Sequence, residues 1–100
     1  MARPRVETHP DAISEARAAY LWYAERNPTA GGGFMAALDQ AVSQILESPD
    51  RWTRHLHGTR KYLLRRFPYS VIYRVTANAV QIVAVAHGRR RPGYWKRRQF

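Results

Sequence analysis

Residues 69–86 read Tyr-Ser-Val-Ile-Tyr-Arg-Val-Thr-Ala-Asn-Ala-Val-Gln-Ile-Val-Ala-Val-Ala. In the first half, Tyr69, Val71, Tyr73 and Val75 alternate with Ser70, Ile72, Arg74 and Thr76. That period of two sends successive side chains to opposite faces of a strand. Ala77-Asn78 then reads as a two-residue turn. Residues 79–86 are apolar at almost every position, the composition of a central strand covered on both faces. Upstream, residues 60–67 alternate more loosely before Pro68 interrupts them. Consecutive strands joined by short turns predict an antiparallel meander.

Further upstream the pattern becomes helical. His9-Pro10-Asp11 is a helix start, with proline near the first helical position and acid in the first turn. Ile13, Ala16, Tyr20 and Ala24 recur at helical spacing. Trp22 lies off that stripe and suits either packing against a neighbouring element, the preferred reading, or an exposed contact for a partner. Residues 27–33, Asn-Pro-Thr-Ala-Gly-Gly-Gly, are expected to break the helix, with Gly31-Gly32-Gly33 as a flexible joint. Phe34, Leu38, Ala41, Val42, Ile45 and Leu46 then form one apolar face, and Ser48-Pro49-Asp50 ends the second helix. Residues 3–8, with Pro4, suit an edge strand. The predicted fold is α+β: an N-terminal strand, then an antiparallel helical hairpin packed on one face of a mainly antiparallel, three- to five-stranded sheet, then a short basic C-terminal tail. Tyr94 and Trp95 are expected to pin that tail to the body.

At 100 residues the chain has the size of one domain, spanning 1–100. It has no cysteine, which excludes disulfides, thiolate nucleophiles and Cys-ligated zinc. The N-terminus carries no apolar stretch behind its charges, and no run approaches the ~20 residues needed to span a bilayer. A cytoplasmic location is expected. Charge is strongly segregated. Residues 1–50 hold four Lys/Arg and seven Asp/Glu, a net −3, while residues 51–100 hold thirteen Lys/Arg and no acid, a net +13. So one-sided a field attracts anions and acidic surfaces.

Catalytic groups are scarce. The acids are scattered over the helices, without the pairing that glycosidase or carboxylate–metal chemistry needs. His55 and His57, two residues apart, have no evident third ligand, so no metal and no cofactor is expected. His87 precedes Gly88-Arg89-Arg90-Arg91. It suits either a general acid/base with arginines steadying a phosphorane-like transition state, or a backbone-bonding residue that fixes the start of the tail. No second acid/base group is visible, which favours the latter. The arginines, interleaved with aromatics, suit a nucleic-acid groove or an acidic protein partner, and composition does not separate these.

Three stretches carry a family likeness: Arg65-Arg66-Phe67-Pro68-Tyr69-Ser70-Val71-Ile72-Tyr73-Arg74-Val75, Val80-Gln81-Ile82-Val83-Ala84-Val85-Ala86-His87-Gly88-Arg89-Arg90, and Pro92-Gly93-Tyr94-Trp95-Lys96-Arg97-Arg98. Together with the His9-Pro10 helix start and Ser48-Pro49-Asp50-Arg51-Trp52, they strongly resemble the ParE branch of the RelE/ParE toxin superfamily. The resemblance implies a toxin of a type II toxin–antitoxin system. It would be held in a hetero-oligomer by a cognate acidic antitoxin that folds on binding. ParE-like members are associated with poisoning DNA gyrase, whereas RelE-like members cleave mRNA on the ribosome. Those nucleases place an arginine where this chain has Ser70, and a terminal acid/base near Gly88-Arg89, a departure that speaks against nuclease activity. The expected target-binding set is Arg65, Arg66, Tyr69, Tyr73, Arg74, His87, Arg89, Arg90, Arg91, Tyr94, Trp95, Arg97 and Arg98, for gyrase or a gyrase–DNA complex. The alternative ribonuclease, acting on ribosome-bound mRNA, would use His87, Arg65 and Tyr94. A non-toxic nucleic-acid-binding module is the third possibility.

Overall fold

The structure is a computed structural model that describes residues 4–100. The start of the expected first strand at Arg3 and the N-terminal reading over residues 1–3 lie outside the described residues. The elements are β1 (Arg5–Thr8), α1 (Pro10–Arg26), α2 (Pro28–Glu47), β2 (Thr53–His55), a 3-10 turn (Leu56–Gly58), β3 (Thr59–Leu63), β4 (Tyr69–Val75) and β5 (Ala79–His87). The five strands are ordered β1-β5-β4-β3-β2, with β1 parallel to β5 and the other pairs antiparallel. Among the described residues, no helix is long and apolar enough to cross a membrane.

The helices start and stop where local chemistry dictates. His9 caps α1, its Nδ1 accepting the Asp11 N–H at 3.0 Å, and Pro10 follows at the first turn. Asn27 serves both helices. Its N–H donates to the Tyr23 carbonyl at 2.9 Å, ending α1, and its Oδ1 accepts the Thr29 N–H at 2.9 Å, starting α2. The expected loop over residues 27–33 therefore shrinks to one residue, and Gly31-Gly32-Gly33 is helical. The reason lies in the packing. A Cβ on Gly31 would lie 2.8 Å from the Ala24 Cβ, so the two helices meet at a backbone-to-backbone approach only glycine permits.

The core lies between the hairpin and the sheet. From α2 it takes Phe34, Leu38, Ala41 and Ile45, as the stripe predicted. From α1 it takes Ala12 and Ala19, with Ala16 and Tyr23 packed against them. The expected stripe on α1 is thus displaced by one position: Ile13 is 57% exposed, and Tyr20 and Leu21 also face outward. Trp22 is exposed too, at 51%, with the Arg26 guanidinium 3.7 Å from its ring centroid. Tyr23, Phe34, Phe67 and Tyr69 make an aromatic cluster with centroid separations of 5.0–6.3 Å.

The alternation of β4 places Val71 and Tyr73 toward the helices and Ile72 on the opposite face. A bulge sets Ile72 opposite Ala84 but Tyr73 opposite Ile82. Val83 is therefore the extra residue, and Val83 and Ala84 both face away from the helices. There they bury Trp95, which is 3% exposed. The sheet is thus not a two-layer partner of the helices alone, because the C-terminal tail covers part of its second face.

Candidate target-binding surface

The tail is clamped to the body through one carboxylate. Because β1 is short, its pairing with β5 ends at Thr8 and Ile82, and the β5 edge beyond is left without a strand. Side chains close that edge. Glu15 on α1 accepts the Val85 N–H at 3.0 Å, and Arg98 donates to the Val83 carbonyl at 3.0 Å. The two side chains then pair with each other, Arg98 Nη1 and Nη2 each 2.9 Å from a different Glu15 oxygen. The Tyr94 hydroxyl donates to the same carboxylate at 2.5 Å. Burial works to raise the Glu15 carboxyl, but the hydrogen bonds from Arg98, Tyr94 and Val85 outweigh it and hold the group below the ordinary carboxylate range. Burial, and then the bond to Glu15, push the Tyr94 phenol well up, so it stays protonated at neutral pH.

The sequence-predicted binding residues divide into three groups by position. Arg65 and Arg66, in the β3–β4 loop, and Arg89, Arg90, Arg91 and Arg97, after β5, are exposed. Arg66 takes a left-handed backbone, φ 67°, which turns the loop. Tyr69, Arg74, His87, Tyr94 and Arg98 are half-buried. Arg74 carries a buried Nε without a hydrogen-bond partner, and its guanidinium lies 5.6 Å from the Phe100 ring centroid. Tyr73 and Trp95 belong to the interior. Tyr73 is fully buried, donates to the Pro49 carbonyl at 2.6 Å, and has its pKa pushed up to about 12 by burial. Neither Tyr73 nor Trp95 offers a surface to a partner. They shape the face from beneath.

Two concavities flank this face. A groove of about 880 Å³ runs between α2 and the β3–β4 loop, with Arg51, Arg65 and Arg66 at its side and Trp52 and Tyr62 in its wall. A cleft of about 470 Å³ lies between α1 and the tail and brings together Trp22, Tyr69, His87, Arg90 and Tyr94. The alternative catalytic trio is therefore not assembled: His87 and Tyr94 share the cleft, and Arg65 lines the other groove. His87 does what its bland alternative required. Its Nδ1 accepts the Arg89 N–H at 3.0 Å and its ring meets Tyr69 edge-on at 4.9 Å, which fixes where the tail begins. The rings of His55 and His57 both pack on Trp95, with centroids 5.9 and 5.8 Å from it. Gly93, at φ 81°, threads the tail past His57, where a Cβ would lie 3.2 Å from Nε2.

Sequence reasoning missed three participants. Trp22, for which packing was preferred over an exposed contact, stands on the rim of the cleft. Glu15, one of the scattered helix acids, anchors the tail. Lys61, set beside the tail by the β3–β4 register, joins the basic face. Only the Ser70-containing register could have revealed the last.

The comparisons follow the same outline. The family model of the ParE toxin of the type II toxin–antitoxin system parDE matches residues 6–92. Among solved structures, a chromosomal ParDE toxin–antitoxin system from P. aeruginosa superimposes with a TM-score of 0.74 at 18% identity, covering 85% of this chain and 96% of that one. No curated protein matches the sequence. At that identity the structural likeness establishes the fold, and the family match over most of the chain establishes the lineage: this chain belongs to the ParE toxin family of type II toxin–antitoxin systems.

Proposed function

We propose that the protein arrests growth by gripping DNA gyrase, or the gyrase–DNA complex, with its basic sheet-and-tail face, and that a cognate ParD antitoxin with an acidic segment neutralises it. The observation that carries this reading is a pinned, cationic tail without a catalytic set beside it. Six arginines of the predicted set stand exposed, four of them on a tail anchored by Glu15 and Trp95 and two on the β3–β4 loop, while the acid/base trio a nuclease would need is split between two concavities. A rigid cationic face meets an acidic or phosphate-bearing target without the entropy cost of ordering a loose tail. The antitoxin's acidic segment would order as it binds, at some cost to its affinity. The decisive assay is gyrase-catalysed supercoiling of relaxed plasmid with purified toxin, alongside a translation extract probed for mRNA cuts. Inhibited supercoiling with intact mRNA supports the proposal. Unimpaired supercoiling at micromolar toxin, with discrete mRNA cuts, supports the ribosome-dependent ribonuclease instead.

A further inference from the structure

On the sheet face opposite the helices there is a small hollow between the tail and strands β2 to β5. Its volume is about 80 Å³. The register explains it. Ser70 on β4 pairs with Ala86 on β5, so two small side chains lie side by side where the neighbouring pair is Ile72 and Ala84. Trp95 walls one side, and the tail turn carrying Arg90 and Arg91 closes over the other. At ~30 Å³ per water the space holds roughly two or three waters. That is far below the ~300–1,000 Å³ of a pocket for an organic ligand. Only a compact group fits.

The groups around the hollow are donors. Lys61, Arg90 and Arg91 line it together with His55 and His87, and no acid does. Three cations elsewhere have carboxylates: Arg98 has Glu15, Arg5 has Glu7, and Arg60 approaches Asp50. None of the described ion pairs involves Lys61, Arg90 or Arg91, and the Arg90 guanidinium lies 3.8 Å from the Tyr94 ring centroid, which holds it at the hollow's edge. The His87 ring itself lies on the helix side of the sheet, edge-on to Tyr69, and holds the start of the tail through Nδ1 without facing the hollow. Ser70 adds a hydroxyl on the hollow's floor. Convergent donors without a counter-charge, around a space of this size, match a tetrahedral oxyanion.

We propose that this hollow is a phosphate-binding site and that it takes a phosphodiester group of a nucleic-acid backbone. The choice of a polyanion rests on what surrounds the hollow. Exposed Arg89, Lys96 and Arg97 continue the positive charge along the same tail, and a lone phosphate would leave them unused. The site stands whether or not gyrase is the target, since it concerns only this chain and a phosphate.

The test uses the full-length toxin and three probes: inorganic phosphate, a short single-stranded DNA and polyglutamate. Histidine side-chain NMR supplies the readout. His55 holds its proton weakly because of burial and the nearby Lys61 and His57, and an anion in the hollow reverses that trend. Phosphate is expected to raise the His55 titration midpoint, and DNA to do the same in competition with phosphate. Ser70→Val fills the hollow without altering charge, and Lys61→Gln removes a surface cation without touching the core. Each is expected to weaken phosphate and DNA binding about tenfold, the effect of one lost charge-assisted bond. Polyglutamate binding should fall with Lys61→Gln and be unchanged by Ser70→Val. A His55 ring that ignores phosphate would overturn the proposal. So would DNA binding that survives both variants, or polyglutamate binding that depends on the hollow as DNA does.

Discussion

Removing the Glu15 carboxylate tests how the basic face is held. Glu15 accepts four hydrogen bonds, two from Arg98, one from Tyr94 and one from the Val85 N–H. The paired side chains are largely shielded, with 16% and 14% of their surface exposed. Glu15→Ala leaves a strand-edge N–H without a partner and the Arg98 guanidinium with only the Val83 carbonyl at 3.0 Å and the exposed Asp11 carboxylate at 3.7 Å. Breaking one side of a shielded ion pair costs about 3–5 kcal/mol, and some solvent access here places the loss near the lower end, ~3–4 kcal/mol. At ~4–8 °C per kcal/mol for a domain of this size, the Tm falls by roughly 12–30 °C. The double variant Glu15→Ala/Arg98→Met removes both charges and should recover a good part of that loss. The effect depends on pH in a definite direction. The folded chain holds the Glu15 carboxyl below its ordinary value of 4.5, so the unfolded chain binds the proton more readily. The carboxylate's contribution is complete above the unfolded value and is lost as pH falls through the folded one. The gap between wild type and Glu15→Ala, measured by circular dichroism melts and urea titration, should therefore close in acid. A Glu15→Ala protein within ~0.5 kcal/mol of wild type at neutral pH would refute the clamp, since that is the size of an ordinary surface substitution.

Other consequences are as concrete. Gly31→Ala sets a methyl 2.8 Å from the Ala24 Cβ and should destabilise the hairpin by ~1–3 kcal/mol. Gly32→Ala meets nothing within 4 Å inside the same helix and should stabilise by ~0.5–1 kcal/mol, both read by urea denaturation. Tyr73→Phe removes the bond to the Pro49 carbonyl and should cost ~1–2 kcal/mol, and the wild-type phenol should resist ionisation until about pH 12 in an ultraviolet titration.

The strands were legible because β4 and β5 carry a period of two and an apolar run, patterns that burial itself imposes. The same alternation already set Tyr73 on the covered face, but counting it as a target contact required knowing which face the helices cover. The glycine run was misread for a physical reason. Glycine marks a break and a close helix contact with the same letter, and only Ala24 across the interface distinguishes them. On α1 the many alanines give a weak periodicity, so the larger Ile13 and Tyr20 drew the stripe one position off the buried one. The anchoring of the tail was readable from Tyr94 and Trp95, whereas Glu15 was not, because its partners lie 70 to 83 residues away. The hollow beside Ser70 depends on strand register and a bulge, neither of which composition encodes.

On the proposed function, the exposed arginines of the anchored tail grip the target and do not cut RNA. The most direct measurement is gyrase supercoiling titrated with wild-type toxin and with an Arg89→Gln/Arg91→Gln/Arg97→Gln variant. These three side chains are exposed and lie outside the Glu15 clamp. The account predicts inhibition by the wild type and its loss in a variant with an unchanged melting curve. Equal inhibition by both proteins, or none by either, would contradict it.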